Sequence, residues 1–182
     1  MICAFTGPRL LPFPLTPGNP GFDDLCLRLQ KEITLLCEQG VTDFYCGMAL
    51  GADQLCAEIL LELKQSFPGV RLHAAVPFPG QAIRWGKEQQ ARYYELQHRC
   101  DTVTCLSESY RDDCCLVRNR WMVDRADELL AVCDPGRISR RSGTGATVRY
   151  ARSQGRRIVF VSPELQQIPG LAVQHVADGL QR

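Results

Sequence analysis

Histidine is scarce in this chain, with three in 182 residues, and net charge is nearly absent at +1. No apolar run approaches the roughly 18 residues of a membrane span, which excludes a membrane-embedded reading. The near balance of 21 basic and 20 acidic residues gives no bulk attraction to nucleic acid or acidic lipid, so neither is expected as a partner. The opening Met1-Ile2-Cys3-Ala4-Phe5 carries neither the basic stretch nor the small-residue cleavage site of a signal peptide. A cytoplasmic location is expected. No C-x-x-C, G-K-[ST], G-x-S-x-G or H-E-x-x-H occurs, and no glycine fingerprint follows the first apolar run. Spacing alone therefore assigns no catalytic constellation.

What is present is an ordinary globular composition. Hydrophobic residues make up 45% and charged residues 23%, which excludes a disordered chain. The length suits one domain, expected over 1–182, with its core over about 1–162 and a C-terminal tail at 163–182. Ten cysteines invite a disulfide framework, but most sit inside apolar, periodic segments where Cys acts as a small hydrophobe. The expectation is reduced core thiols, with exposure only at the adjacent Cys114-Cys115. His73, His98 and His175 lie far from paired thiols, so no metal site is expected.

Short apolar runs alternate with longer amphipathic ones. Strands are expected at Ile2–Thr6, Thr42–Cys46, Val70–Val76, Thr102–Leu106, Glu128–Cys133 and Arg157–Val161. Helical spacing follows over Phe22–Cys37, Ala52–Leu63, Gln81–Arg99, Asp112–Ala126 and Thr144–Ser153, after a Pro-rich loop at Leu10–Gly21. Such alternation predicts an α/β fold, Rossmann-like and doubly wound, with a mostly parallel sheet and helices on both faces. Ligands in such sheets bind outside the carboxyl ends of the strands, which directs attention to the strand-to-helix loops.

Gly143-Thr144-Gly145 opens a helix after a loop. Free N–H groups and the positive end of the helix dipole suit a phosphate there, although the same residues serve equally as a helix cap. Seven of the chain's 21 basic residues (Arg137, Arg140, Arg141, Arg149, Arg152, Arg156, Arg157) fall between Pro135 and Arg157, with no acid among them. Their forked guanidinium groups favour an anion site served by one or two of the seven over a merely solvated face.

Gly47 and Gly51 flank a second turn, and Asp53 sits in the first turn of the next helix. Asp53 is suited to capping that helix, or to a sugar hydroxyl or base, and disfavours a phosphate beside it. Trp85, Gln89, Arg92 and Tyr93 are expected near one helix face, where a ring stacks on a base or packs on a neighbour. Arg118, next to Asn119, either pairs with Asp124 or Asp127 or points into the cleft.

Several segments in this order carry a resemblance. They are Thr6-Gly7-Pro8-Arg9, the run Gly47 to Asp53, Pro77-Phe78-Pro79-Gly80-Gln81, Arg118-Asn119 with Met122-Val123-Asp124, and Gly143-Thr144 followed by Tyr150-Ala151. Over about residues 1–162 the chain resembles the YpsA-like family of the SLOG superfamily, which includes DprA/Smf and LOG proteins. The resemblance implies a Rossmann-like fold and a nucleotide or nucleotide-derived ligand such as ADP-ribose or NAD, bound by a sensor or regulator linked to cell division. It implies Gly7, Arg9, Gly47, Gly51, Asp53, Arg118, Asn119, Gly143, Thr144, Gly145 and Thr147 as ligand-binding positions, and a homodimer by analogy. LOG proteins hydrolyse the N-glycosidic bond of nucleoside monophosphates with an Arg, matched by Arg118, and a Glu in P-G-G-x-G-T-x-x-E. Here the Glu position is Thr147. An oxocarbenium-like state without that carboxylate loses a stabilising charge, so a binding protein needing no further cofactor is expected ahead of a hydrolase. A protein-interaction module in which ligand binding has been lost is a further alternative; DprA binds single-stranded DNA, a weaker expectation for this chain.

Overall fold

The computed structural model describes residues 1–139 and 141–164; the tail beyond Glu164 lies outside the described residues. Strands and helices alternate as β1 (Ile2–Thr6), α1 (Pro20–Glu38), β2 (Asp43–Cys46), α2 (Ala52–Leu63), β3 (Arg71–Val76), α3 (Lys87–His98), β4 (Thr102–Cys105), α4 (Cys114–Arg125), β5 (Glu128–Val132), α5 (Gly143–Ser153) and β6 (Arg157–Val161). Among the described residues the six strands pair in parallel, in the order β4-β3-β2-β1-β5-β6.

The chain steps outward from β1 to β4, then returns to place β5 on the other side of β1. Because crossovers are right-handed, that reversal moves the helices from one face to the other. Accordingly α1, α2 and α3 pack together on one face, and α4 packs on α5 on the opposite face. The first layer holds the larger core, with Phe5 stacked on Phe44 at 5.5 Å and with Leu29, Ile33, Leu60 and Leu72 fully buried. The second is built on smaller contacts: Ala4, Ala75, Ala131, Met122, Val123 and Val148. Strand β5 is buried along its whole length, the pattern of a strand covered on both faces. The reversal between β1 and β5 creates the crevice at their carboxyl ends.

Local chemistry sets the boundaries. Helix α1 starts earlier than its apolar spacing predicts, because Pro20 fits the first helical position and the Asn19 side chain accepts from Gly21 N–H and Phe22 N–H at 3.1 and 3.2 Å. Helix α3 starts later than the expected Gln81, since residues 81–86 form turns and Gly86 N–H donates to the Gln89 side chain at 3.1 Å. The ten cysteines are free. Cys114 is buried and Cys105, at the sheet edge, is the exposed thiol, which corrects the expectation for the 114–115 pair. No helix among the described residues is long and apolar enough to cross a membrane.

Candidate functional site

The strand order reverses beside a cleft of about 760 Å³, reached by the β1–α1 loop, the start of α2, α4 and the β5–α5 loop. One corner of it is the start of α5. Ser142 caps that helix, accepting from Gly145 N–H at 3.0 Å. Gly143 and Thr144 line the cleft, and as first-turn residues their N–H groups have no carbonyl of their own helix to bond.

The floor is an ion pair that crosses the top of the sheet. Arg118 comes from α4 on one face and Asp53 from α2 on the other; both line the cleft, and their exposures are 3% and 6%. Arg118 Nη1 lies 3.8 Å from Asp53 Oδ2, longer than a hydrogen bond, and donates to the Ala75 carbonyl at 3.3 Å. Arg118 Nε is buried without a partner among the described residues. Asp53 Oδ2 accepts from Ala49 N–H at 3.3 Å. Burial raises the Asp53 carboxyl above its ordinary value of 3.8, outweighing Arg118, the Ala49 N–H and Arg9, each of which favours the anion. Arg9 also lines the cleft and donates to Cys115 Sγ at 3.7 Å.

The glycines expected at the ligand divide into two groups. Gly7 lines the cleft, and a Cβ there would sit 2.3 Å from Ala52 Cβ, so the bare backbone brings the β1 turn against α2. Gly47 makes room for a protein side chain: a Cβ would lie 1.5 Å from Arg118 Nη1. Gly51, at φ 81°, seats the α2 turn on the Pro8–Arg9 backbone, where a Cβ would meet Arg9 O at 2.5 Å. Gly145 lies against Ser139 O, with a Cβ at 2.3 Å. Gly47, Gly51 and Gly145 therefore shape the cleft from behind and are not among its lining residues.

Thr147 is likewise set back. At 3% exposure, its hydroxyl donates to Gly143 O at 2.9 Å and accepts from Asn119 Nδ2 at 2.8 Å. Asn119 itself lines the cleft. Asp124 accepts from the Tyr150 hydroxyl at 2.7 Å, and Asp127 accepts from Ile2 N–H at 2.9 Å, so neither pairs with Arg118.

Of the seven clustered arginines, Arg137 lines the cleft, tied to Glu164 at its rim. Arg157 pairs with Glu128 at 2.6 Å and Arg156 donates to Asp124 O, both outside the cleft. Arg140 lies outside the described residues. Trp85 and Tyr93 pack edge to face at 5.2 Å, and Arg92 pairs with Glu58, so this group serves helix packing. Sequence reasoning passes over Ser142 and Cys115. A serine just ahead of Gly-Thr-Gly is a legible cap signal; nothing in the spacing marks Cys115.

Fold and cleft together define a Rossmann-like α/β protein whose crevice lies where that class places its ligands. Residues 19–164 match the profile of YpsA, described as the YspA SLOG family, and the chain belongs to that family. The UPF0398 protein of Bacillus pumilus is 29% identical over 139 residues, covering 74% of each chain. That of Halalkalibacterium halodurans is 28% identical over 107 residues, covering 58% of this chain and 57% of the relative. Among solved structures, DNA processing protein A of Streptococcus pneumoniae is similar with a TM-score of 0.57 at 16% identity, covering 92% of this chain but only 51% of that one. The Helicobacter pylori protein, whose structure is described for its single-stranded DNA binding mode, gives 0.58 at 16% identity over 93% of this chain and 67% of that one. These structural likenesses show the shared fold.

Proposed function

We propose that the chain binds a nucleotide or nucleotide derivative, of the ADP-ribose or NAD type, in the cleft between β1 and β5 and acts as a sensor or carrier of it. The observation that carries this is Arg118, a buried cation facing the cleft with a loose ion pair and an unpartnered Nε. Such a group is costly to bury unless something completes it. The Gly143–Thr144 backbone and the Thr144 hydroxyl would hold phosphate, Arg9 and Arg118 would neutralise charge, and Asp53 would take a sugar hydroxyl. The volume, about 760 Å³, falls in the ordinary range for small-molecule sites.

Asp53 also favours a second reading. It is a carboxyl beside Arg118 in the cleft, where hydrolysis of an N-glycosidic bond would need one; Thr147 is sealed behind Asn119 and offers none. Calorimetric titration with AMP, ADP-ribose and NAD, beside Arg118→Ala and Arg9→Ala and with products separated by chromatography, tests both. Saturable binding weakened in both variants, with ligand recovered intact, supports the sensor. Release of free base or ribose phosphate assigns the hydrolase. Absence of binding, combined with salt-dependent binding of a single-stranded oligonucleotide, would transfer the cleft to a DNA-processing role.

A further inference from the structure

We propose that Asp53 is a resident competitor for Arg118, so that an anionic ligand enters the cleft together with one proton, taken from solvent onto the Asp53 carboxylate. The inference rests on the reading of the cleft as a phosphate-binding site and adds its coupling to protons. Arg118 is held in place independently of Asp53, by its hydrogen bond to Ala75 O and by the gap above Gly47. Its Nε–H has no acceptor among the described residues and is free to donate to one. Asp53 is poorly supplied: two carboxylate oxygens, which can accept about four hydrogen bonds, have one N–H at 3.3 Å and a cation at 3.8 Å. A phosphate that takes up Arg118 places a second negative charge beside a nearly buried carboxylate. Two such charges in one site are not both retained, and the carboxylate is the one that can become neutral by gaining a proton.

The surroundings leave Asp53 as the group that responds. Arg118 from α4 and Arg9 from the β1–α1 loop are permanent cations. Cys46 on β2 and Cys56 on α2 are pushed well above the ordinary thiol value, by burial first and by Asp53 second, so both stay neutral. Tyr93 of α3 is raised by burial against the opposing charge of Arg118, and Cys115 of α4 is raised by burial against Arg118 and Arg9. None of these supplies or absorbs a proton near neutrality.

The test is calorimetry of ADP-ribose binding in buffers of different ionisation enthalpy, from about pH 5 to about pH 8. The diphosphate of ADP-ribose stays fully ionised over that range, so any proton taken up belongs to the protein. The expected result is uptake of up to one proton per ligand, with affinity falling by as much as about tenfold per pH unit on the alkaline side. Asp53→Asn should bind without proton uptake and with affinity independent of pH. Binding to the native chain with no proton uptake at any pH overturns the inference and leaves the reading of the cleft intact. The same uptake in Asp53→Asn places the proton elsewhere and also overturns it. Absence of ADP-ribose binding in both proteins removes the reading and the inference with it.

Discussion

Gly47→Ala is the sharpest perturbation of this cleft. The added methyl carbon would lie 1.5 Å from Arg118 Nη1, 2.2 Å from its Cζ and 2.7 Å from Asp53 Oδ2. None of these contacts can persist, and Arg118 is buried, so the guanidinium must leave its seat on Ala75 O and its place beside Asp53. Breaking a buried charge pair costs about 3–5 kcal/mol. Alanine in place of glycine returns about 0.4–1 kcal/mol by restricting the unfolded chain, since Gly47 is not in the left-handed region. The expected net loss is about 2–4 kcal/mol, a large share of the roughly 5–15 kcal/mol that such a domain has.

Urea unfolding followed by circular dichroism reads it as a lower midpoint at unchanged slope. Arg118→Leu removes the two guanidinium contacts and leaves only the Asp53 oxygen at 2.7 Å, so Gly47→Ala should cost clearly less in that background than in the native chain, a coupling energy of about 1 kcal/mol or more. A single Gly47→Ala variant within about 0.5 kcal/mol of the native chain would refute the assignment of Gly47 as the seat of Arg118.

Other consequences follow from named groups. The Asp101 carboxyl is raised by burial but lowered further by Lys64 and the Leu72 N–H, with a net shift below 3.8. It therefore contributes stability above that value which is lost as pH falls through the folded value, and Asp101→Asn should flatten the acid limb of a stability–pH curve. Asp53 has the opposite sign: its raised carboxyl contributes stability below 3.8 that is lost as pH rises through the folded value. Asp53→Asn should gain on the native chain as pH rises over that window, measured by urea midpoints at successive pH values. Among the thiols, Cys105 should react first with a chromogenic disulfide, and Cys3, Cys46 and Cys56 only on unfolding. Mass mapping of the labelled peptides checks this. Thr147→Glu should lower the thermal midpoint by several degrees and create no hydrolase, because that position is packed against Asn119 behind the cleft.

The strands were legible because each is a short apolar run closed by turn residues, and β1 and β6 lie at the expected residues. The start of α3 was not, because Gln81–Gly86 carries no helical period and its turns arise from local hydrogen bonds. Within the site, Arg118 and the Gly143-Thr144 opening of α5 were readable as residue types suited to anions. What each glycine faces was not readable. A glycine in a motif signals close approach without naming the neighbour: at Gly47 it is Arg118 and at Gly51 the Arg9 backbone, both distant in sequence. The Arg118–Asp53 pair was hidden for the same reason, since it joins helices from opposite faces of the sheet.

The hydroxyl of Thr147 has a mechanical consequence. It fastens the opening turn of α5 to Asn119, the residue after Arg118. The start of α5 and the helix that carries the cation on the floor are thus tied to each other through two hydrogen bonds in series. On the proposed reading the cleft would act as a caliper: a guest would be measured by the span between its charged groups, and adjustment would fall to the Arg9 side of the mouth. Loosening the Thr147–Asn119 tie would admit guests of the wrong length before it weakened the hold on the right one.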